Sequence, residues 1–285
     1  MSAAPSSAST RRCATSSAPA TIRPRSRALG ELLAAAALLA ASLKLDGSLI
    51  VQLSGDGPAR LIVVECNDAL ELRATAQWDA DRVAALGVDA SLADLAGGSA
   101  HGRLALTLDP RNSGNLYQGI VSLDSSSIAA SIEHYLATSE QLQSRLWLSA
   151  NPGRICGLLL QRLPGAEATD DVTWTRVTRD ADAAWPQALA QPTFAGMLQR
   201  MFMHDDVRIF EPRPVAFRCK CSVARVANAL RIAGRDEIEA ALGERGVVDV
   251  TCEFCNRRYS FSADDARALF ARGEQGTVSG TGVVR

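Results

Sequence analysis

The chain has 285 residues with 30 basic and 31 acidic side chains, a net charge of −1, and 47% hydrophobic, 21% charged and 5% aromatic residues. That balance belongs to a soluble globular protein of one medium domain plus a small satellite, with Ala, Val and Leu filling most of the core. It provides no global basic field for nucleic acid, and seven unevenly spaced cysteines argue against a secreted disulfide framework and for a reducing compartment.

Residues 1–30 contain no Asp or Glu but carry Arg11, Arg12, Arg23, Arg25 and Arg27 among Ser, Ala and Pro. This composition fits a transit peptide or a disordered extension. Residues 1–27 are therefore read as a disordered or atypical extension, and a cytoplasmic location is expected unless they direct the chain to an organelle. The apolar run 32–43 is too short to span a membrane. Leu29, Leu32, Leu33, Ala36, Leu39, Ala40 and Leu43 recur at three- and four-residue steps, which predicts a buried amphipathic helix with one face on a core.

Strands are expected at 48–53 and 60–66, joined through Ser54-Gly55-Asp56-Gly57-Pro58 as a hairpin, with a third strand at 70–76. Residues 79–98 are Ala- and Asp-rich with weak order signals. A second strand pair is expected at 103–108 and 117–123, turning at Asn112-Ser113-Gly114-Asn115. A helix capped by serines follows at 126–142, then strands at 145–148 and 155–163. The order predicts an α+β core domain over 28–164. Hydrophobic periodicity fades over 165–190, so 165–214 reads as a metastable linker with a helix at about 187–202. Residues 215–272 form a small cysteine-bearing domain, and the tail 273–285, rich in Gly, Thr and Ser, is expected to be disordered. The fold class is thus α+β: an N-terminal mixed helix/sheet domain, a helical linker and a small C-terminal zinc domain.

The cysteines supply the chemistry. Cys219-Lys220-Cys221 is followed after 252 − 221 − 1 = 30 residues by Cys252-Glu253-Phe254-Cys255. Two close pairs deliver four thiolates to the corners of a tetrahedron, which is what a structural zinc requires. The intervening chain has helical spacing at 222–232 and 236–242 and a strand at 247–250. Tyr259 and Phe261 follow the second pair, and Ala266, Leu269 and Phe270 mark a closing helix. So short a segment has a thin core, for which a metal is the usual remedy. Three readings stand at this point: a static structural zinc ribbon, a nucleic-acid-binding zinc module, and a thiol–disulfide oxidoreductase built on Cys252 and Cys255. Segment 215–272 has ten Lys or Arg against eight Asp or Glu, so zinc with four thiolates brings it near zero, without the electrostatic footprint of a nucleic-acid module. An oxidoreductase pair belongs at a helix start, whereas here a strand precedes the pair and no clear helix follows.

The run Phe217-Arg218-Cys219-Lys220-Cys221-Ser222 with Cys252-Glu253-Phe254-Cys255-Asn256 resembles the zinc signature of the thirty-three-kilodalton heat shock protein family, the redox-regulated holdase chaperones. The resemblance continues through Gly30-Glu31-Leu32-Leu33, the stretch Leu43-Lys44-Leu45-Asp46-Gly47-Ser48-Leu49, Gln52, Gly55-Asp56-Gly57-Pro58, Tyr117-Gln118-Gly119-Ile120-Val121, Tyr135, Ser139-Glu140-Gln141 and Gln161-Arg162-Leu163-Pro164. It covers roughly residues 28–272. Residues 1–27 depart from it: the family begins with a strand and helical material, and loss of that strand would leave a sheet edge unpaired.

The resemblance implies a chaperone rather than an enzyme, working without ATP and without a nucleic-acid or membrane partner. It implies one Zn²⁺ per chain held by Cys219, Cys221, Cys252 and Cys255 in the reduced state. It also implies oxidation to Cys219–Cys221 and Cys252–Cys255 disulfides, zinc release, unfolding of the zinc domain and linker, binding of unfolding client proteins and a homodimer when oxidised. The alternatives from other classes are a constitutive zinc-stabilised interaction module and a thiol–disulfide exchange enzyme. Cys66 and Cys156 sit in apolar runs and read as core residues. Cys13 has no evident partner, His101, His134 and His204 lack ligand spacing, and 55–57 is too short for a phosphate loop.

Overall fold

Alternating apolar residues and Gly-containing turns build the first half of the chain into one sheet. The structure is a computed structural model that describes residues 24–43, 46–87, 90–98, 101–112, 114–123, 127–162 and 169–271. Helix α1 (Pro24–Ser42) leads into strands β1 (Gly47–Ser54), β2 (Ala59–Asn67) and β3 (Glu71–Trp78). Short helices α2 (Ala80–Ala84) and α3 (Leu92–Ala96) precede β4 (Arg103–Pro110), β5 (Tyr117–Ser122), helix α4 (Ile128–Thr138) and the hairpin β6 (Ser144–Asn151) and β7 (Arg154–Gln161). Helices α5 (Thr169–Ala188) and α6 (Phe194–Met201) and the two-residue strand β8 (Ala216–Phe217) complete a first unit that ends at Phe217. The second unit begins at Arg218 and holds α7 (Val223–Ala233), α8 (Arg235–Arg245), β9 (Val247–Thr251), β10 (Arg258–Ser262) and α9 (Ala263–Ala271). The α+β class expected from the sequence is the class observed.

The large sheet has the order β5-β4-β1-β2-β3-β8, antiparallel except for the β3–β8 pair. Val51 on β1 lies opposite Val64 on β2 and Leu106 on β4. These residues, with Leu49, Leu53, Ile62, Cys66 and Leu104, form the buried face. Helix α1 packs between this face and the β6–β7 hairpin, touching β1, β2 and β3 as well as β6 and β7. The sequence predicted one buried face for this helix. Instead every residue from Ala34 to Ala40 is no more than 4% exposed, because a helix covered on two sides has no face left for water.

Small residues permit that closeness. A Cβ built on Gly30 would lie 2.4 Å from the Cβ of Ala150 on β6. At the first hairpin turn, Gly57 donates its N–H to Ala96 O at 3.0 Å, and a Cβ there would lie 2.2 Å from the Gly97 nitrogen. The Gly-Asp-Gly-Pro turn thus serves close backbone approach to the end of α3. Other shared motifs meet in the same way. The Tyr135 hydroxyl donates to Glu140 Oε1 at 2.7 Å, as does that of Tyr117 at 3.3 Å, and the Tyr135 ring occupies the space a side chain at Gly119 would need.

Four expectations need correction. The stretch 79–98 contains α2 and α3. Asp79 caps α2, and Ser91 with Asp94 forms a capping box on α3, a Ser-x-x-Asp signal present in the sequence. The helix expected at 126–142 ends at Thr138. Pro24–Arg27 form the first turn of α1, with Arg27 donating to Ala90 O at 2.8 Å, whereas the rest of the expected extension and the expected tail 273–285 lie outside the described residues. Lastly, periodicity does not fade after 168. Trp174, Val177, Ala181, Ala184, Trp185 and Ala188 of α5 recur at helical spacing and pack, with Met197, Leu198 and Met201 of α6, on Trp147, Cys156, Leu158 and Leu160. The β6–β7 hairpin is therefore buried on both faces, one against α1 and one against α5 and α6.

Polar bonds fasten α5 to the hairpin. Asp182 accepts from Trp147 Nε1 at 2.8 Å and from Arg145 Nη2 at 2.9 and 3.0 Å, while Arg145 Nη1 donates to Glu133 of α4 at 3.2 Å. Glu133 also accepts the Leu146 N–H at 2.6 Å. Burial raises its carboxyl above the usual range against the lowering effect of these donors.

Two glycine-to-alanine changes test the packing. Alanine normally stabilises a helix interior by about 1 kcal/mol relative to glycine. At Gly30 the contact with Ala150 outweighs this, and Gly30→Ala is expected to destabilise the chain by about 1–2 kcal/mol. At Gly243 on α8, where an added Cβ would meet nothing within 4 Å, Gly243→Ala is expected to stabilise by about 0.5–1 kcal/mol. Urea unfolding of both variants checks the opposite signs.

Candidate metal centre

The second unit is built around ten buried residues, among them Val226, Ala227, Leu230, Ile238, Leu242, Val248, Tyr259 and Phe261, with Cys221 and Cys252 packed against them. Ser222 caps α7, its hydroxyl accepting the Arg225 N–H, so Cys221 is fixed immediately before a helix start. Strands β9 and β10 pair antiparallel from Val247 opposite Ser262 to Thr251 opposite Arg258. The turn between them carries Cys252 and Cys255. Cys252 donates its N–H to Arg257 O at 2.9 Å, Asn256 donates to Cys252 O at 2.8 Å, and Asn256 adopts a φ of 57°, a left-handed conformation that Asn tolerates better than most side chains.

These two loops bring all four sulfurs within 4.8 Å of one another. Cys219 Sγ lies 3.6 Å from Cys252 Sγ, and Cys221 Sγ lies 3.4 Å from Cys255 Sγ. All four are free thiols. A tetrahedral site with metal–sulfur bonds of about 2.3 Å has sulfur–sulfur edges of about 3.8 Å. The donor set and its spacing therefore fit a structural zinc, and the structure brings together the four cysteines that the sequence singled out.

The thiols differ from one another. Desolvation pushes Cys219 up to about 12 and also raises Cys255. Desolvation acts on Cys221 as well, but hydrogen bonds from Tyr259 and the three neighbouring thiols outweigh it and bring that thiol down to about 7. The Tyr259 hydroxyl donates to Cys221 Sγ at 3.0 Å. Sequence reasoning placed Tyr259 only after the second pair, and the strand β10 that carries it was not predicted. Its alternation with Phe261 indicates an inward ring, but nothing in the sequence says where the hydroxyl points.

The remaining described candidates belong to the first unit. Cys66 and Cys156 are buried in the two apolar clusters of the first unit, and desolvation raises Cys66 to about 12. His101 faces Asp56 at 3.2 Å on the surface. Among the described residues, no helix is long and apolar enough to cross a membrane.

Comparison with known proteins follows the same lines. The family model described as Hsp33 protein matches residues 13–262, a match that starts inside the segment expected to depart from the family. A 33 kDa chaperonin of Azotobacter vinelandii is 43% identical over 263 residues, which covers 90% of this chain and 86% of that protein. One from Methylobacillus flagellatus is 40% identical over 247 residues, covering 86% and 81%. The crystal structure of the Hsp33 homologue from Thermotoga maritima superposes with a TM-score of 0.70 at 22% identity, covering 85% of this chain and 84% of that one.

The two buried thiols offer a direct check. In the native protein Cys66 and Cys156 are expected to resist a maleimide reagent and to react only after denaturation. Mass spectrometry of labelled peptides reads this, and rapid native labelling of either would contradict the packing described.

Proposed function

The chain belongs to the Hsp33 family, and from that premise we propose that it is an ATP-independent holdase chaperone, switched on by oxidation of its four C-terminal cysteines. The observation that carries the reading is the gathering of the Cys219, Cys221, Cys252 and Cys255 sulfurs within 4.8 Å. The relatives' name, 33 kDa chaperonin, supports a protein that binds unfolding clients and not an enzyme.

In the reduced protein the four cysteines hold one Zn²⁺. Bound zinc would keep the sulfurs as thiolates and contribute folding free energy on the order of 10–16 kcal/mol to a unit whose described residues include a buried core of ten. Thiolate is the form that oxidants attack. Cys219 pairs with Cys221 and Cys252 with Cys255, as the family resemblance implies. Each pair gives two electrons to one peroxide, forms one S–S bond, and with two protons from solvent reduces the peroxide to two waters. Sulfurs tied into disulfides no longer offer thiolates, so the site loses its metal and the unit loses its main source of stability.

Loss of order then extends to the linker. Helix α5 contains Pro186, which cannot donate to the preceding turn, and its Thr175 and Thr178 hydroxyls bond back to Asp171 O and Trp174 O. A helix of this kind depends on its docking. Its departure with α6 uncovers Trp147, Leu158 and Leu160, apolar surface suited to unfolding clients. The same surface favours a homodimer in the oxidised state. A cytoplasmic location fits thiols kept reduced until stress.

The test loads the full chain with zinc and adds peroxide at mild heat, following metal release and suppression of client aggregation together. About one zinc per chain and anti-aggregation activity are expected to appear in step. Release without activity would point to a constitutive zinc module, and catalytic turnover of a disulfide substrate to an exchange enzyme. A second test leaves the cysteines alone. Asp182→Ala removes the acceptor of the Trp147 and Arg145 bonds, a loss of about 1 kcal/mol or somewhat more. Faster hydrogen exchange over 169–188 and partial activity without oxidant are expected. Unchanged exchange there would refute the docking role.

A further inference from the structure

We propose that the Tyr259 hydroxyl is a positioning group that sets how readily the Cys221 sulfur yields to oxidant and gives up metal; this rests on the reading of the four cysteines as an oxidant-sensitive clasp. Tyr259 is 2% exposed and stands on β10 opposite Val250. Its ring belongs to the same apolar cluster as Val226, Leu230 and Phe261. Packing therefore fixes the ring, and the ring fixes the aim of its hydroxyl, which donates to Cys221 Sγ at 3.0 Å. Cys221 itself immediately precedes the capped start of α7. Both partners are thus placed by rigid elements, which distinguishes this contact from an adaptable surface hydrogen bond.

The consequence is electronic. A donor on a thiolate draws electron density from the sulfur and stabilises the charged form. Nucleophilicity toward an oxidant follows basicity with a slope of about 0.4–0.5 on logarithmic scales. Removing one charge-assisted donor raises sulfur basicity by roughly tenfold to a hundredfold. The rate of attack then rises by about three- to tenfold. The Arg257 guanidinium lies beside the Tyr259 hydroxyl, and a cation there polarises the O–H and strengthens its donation. Tyr259 therefore acts as a brake on Cys221, keeping the clasp closed under mild oxidant while leaving it able to open under stress.

The experiment compares the full chain with its Tyr259→Phe variant, which keeps the ring and removes the O–H. With zinc loaded, the variant should retain its circular dichroism and release metal to a chromogenic chelator about three- to tenfold faster under peroxide. With cobalt loaded and no oxidant, its sulfur-to-cobalt charge-transfer band should move to longer wavelength, a signature that a purely structural role would not produce. Equal release rates with an unshifted band overturn the proposal. Should the variant fail to take up metal, 3-fluorotyrosine at position 259, a stronger donor, must slow release and move the band to shorter wavelength; no change or faster release overturns it. Wild-type chain that holds its zinc under peroxide would overturn the clasp itself, and the cobalt band tests the hydrogen bond independently of that result.

Discussion

Four sulfurs confined within 4.8 Å cannot all be anionic without a cation among them. Two unit charges 3.4–3.6 Å apart, the two shortest separations here, repel by about 5 kcal/mol even at an effective dielectric of 20. The cluster is therefore either protonated and loosely tied or charged and closed on a metal. The loops hold the sulfurs at separations that fit the edges of a tetrahedron, and among the described residues of that unit ten form the buried core. Metal binding and folding are in such a case one equilibrium rather than two.

The first unit is held differently. Its sheet, α1 and the inner face of the β6–β7 hairpin share one cluster in which Leu32, Leu38, Val51, Ile62 and Leu104 are all but inaccessible. That cluster is almost wholly aliphatic, and burial pushes the pKa of its one described cysteine, Cys66, up to about 12. The outer face of the same hairpin is covered by α5 and α6 through a smaller cluster and a few polar bonds. One hairpin thus lies between a larger and a smaller cluster, and the chain runs on through β8 to Cys219 with one residue between. β8 ends the sheet with only two paired residues, Ala216 and Phe217 against Glu71 and Leu72.

Legibility in the sequence followed the size and regularity of the side chains. The β1–β2 hairpin was plain because Gly and Asp mark its turn and Val, Ile and Leu alternate beside it. The four cysteines were plain because their spacing admits few uses. The helices of their small unit were readable because Val226, Ala227, Leu230 and Leu242 mark them, although α8 runs three residues past its expected end and β10 was not anticipated. The double burial of α1 was not readable, because the leucine stripe announces one face and the alanines that form the other look neutral. The hydroxyl contact of Tyr259 was hidden for another reason: it depends on where two loops meet, which no local pattern encodes.

Helix α5 is the instructive miss, because what concealed it also bears on its role. Ala181 and Ala188 are fully buried, yet an alanine side chain removes little apolar area from water and so contributes little stabilisation. Threonine and aspartate around the rest of the helix favour bonds to nearby backbone over helix formation. Alanines at 181, 184 and 188, set among Trp174, Val177 and Trp185 on a helix of weak propensity, dilute the hydrophobic signal of the docked face. A helix easily read from its sequence would have carried Leu or Ile at 181 and 188, which remove more apolar area from water than alanine does.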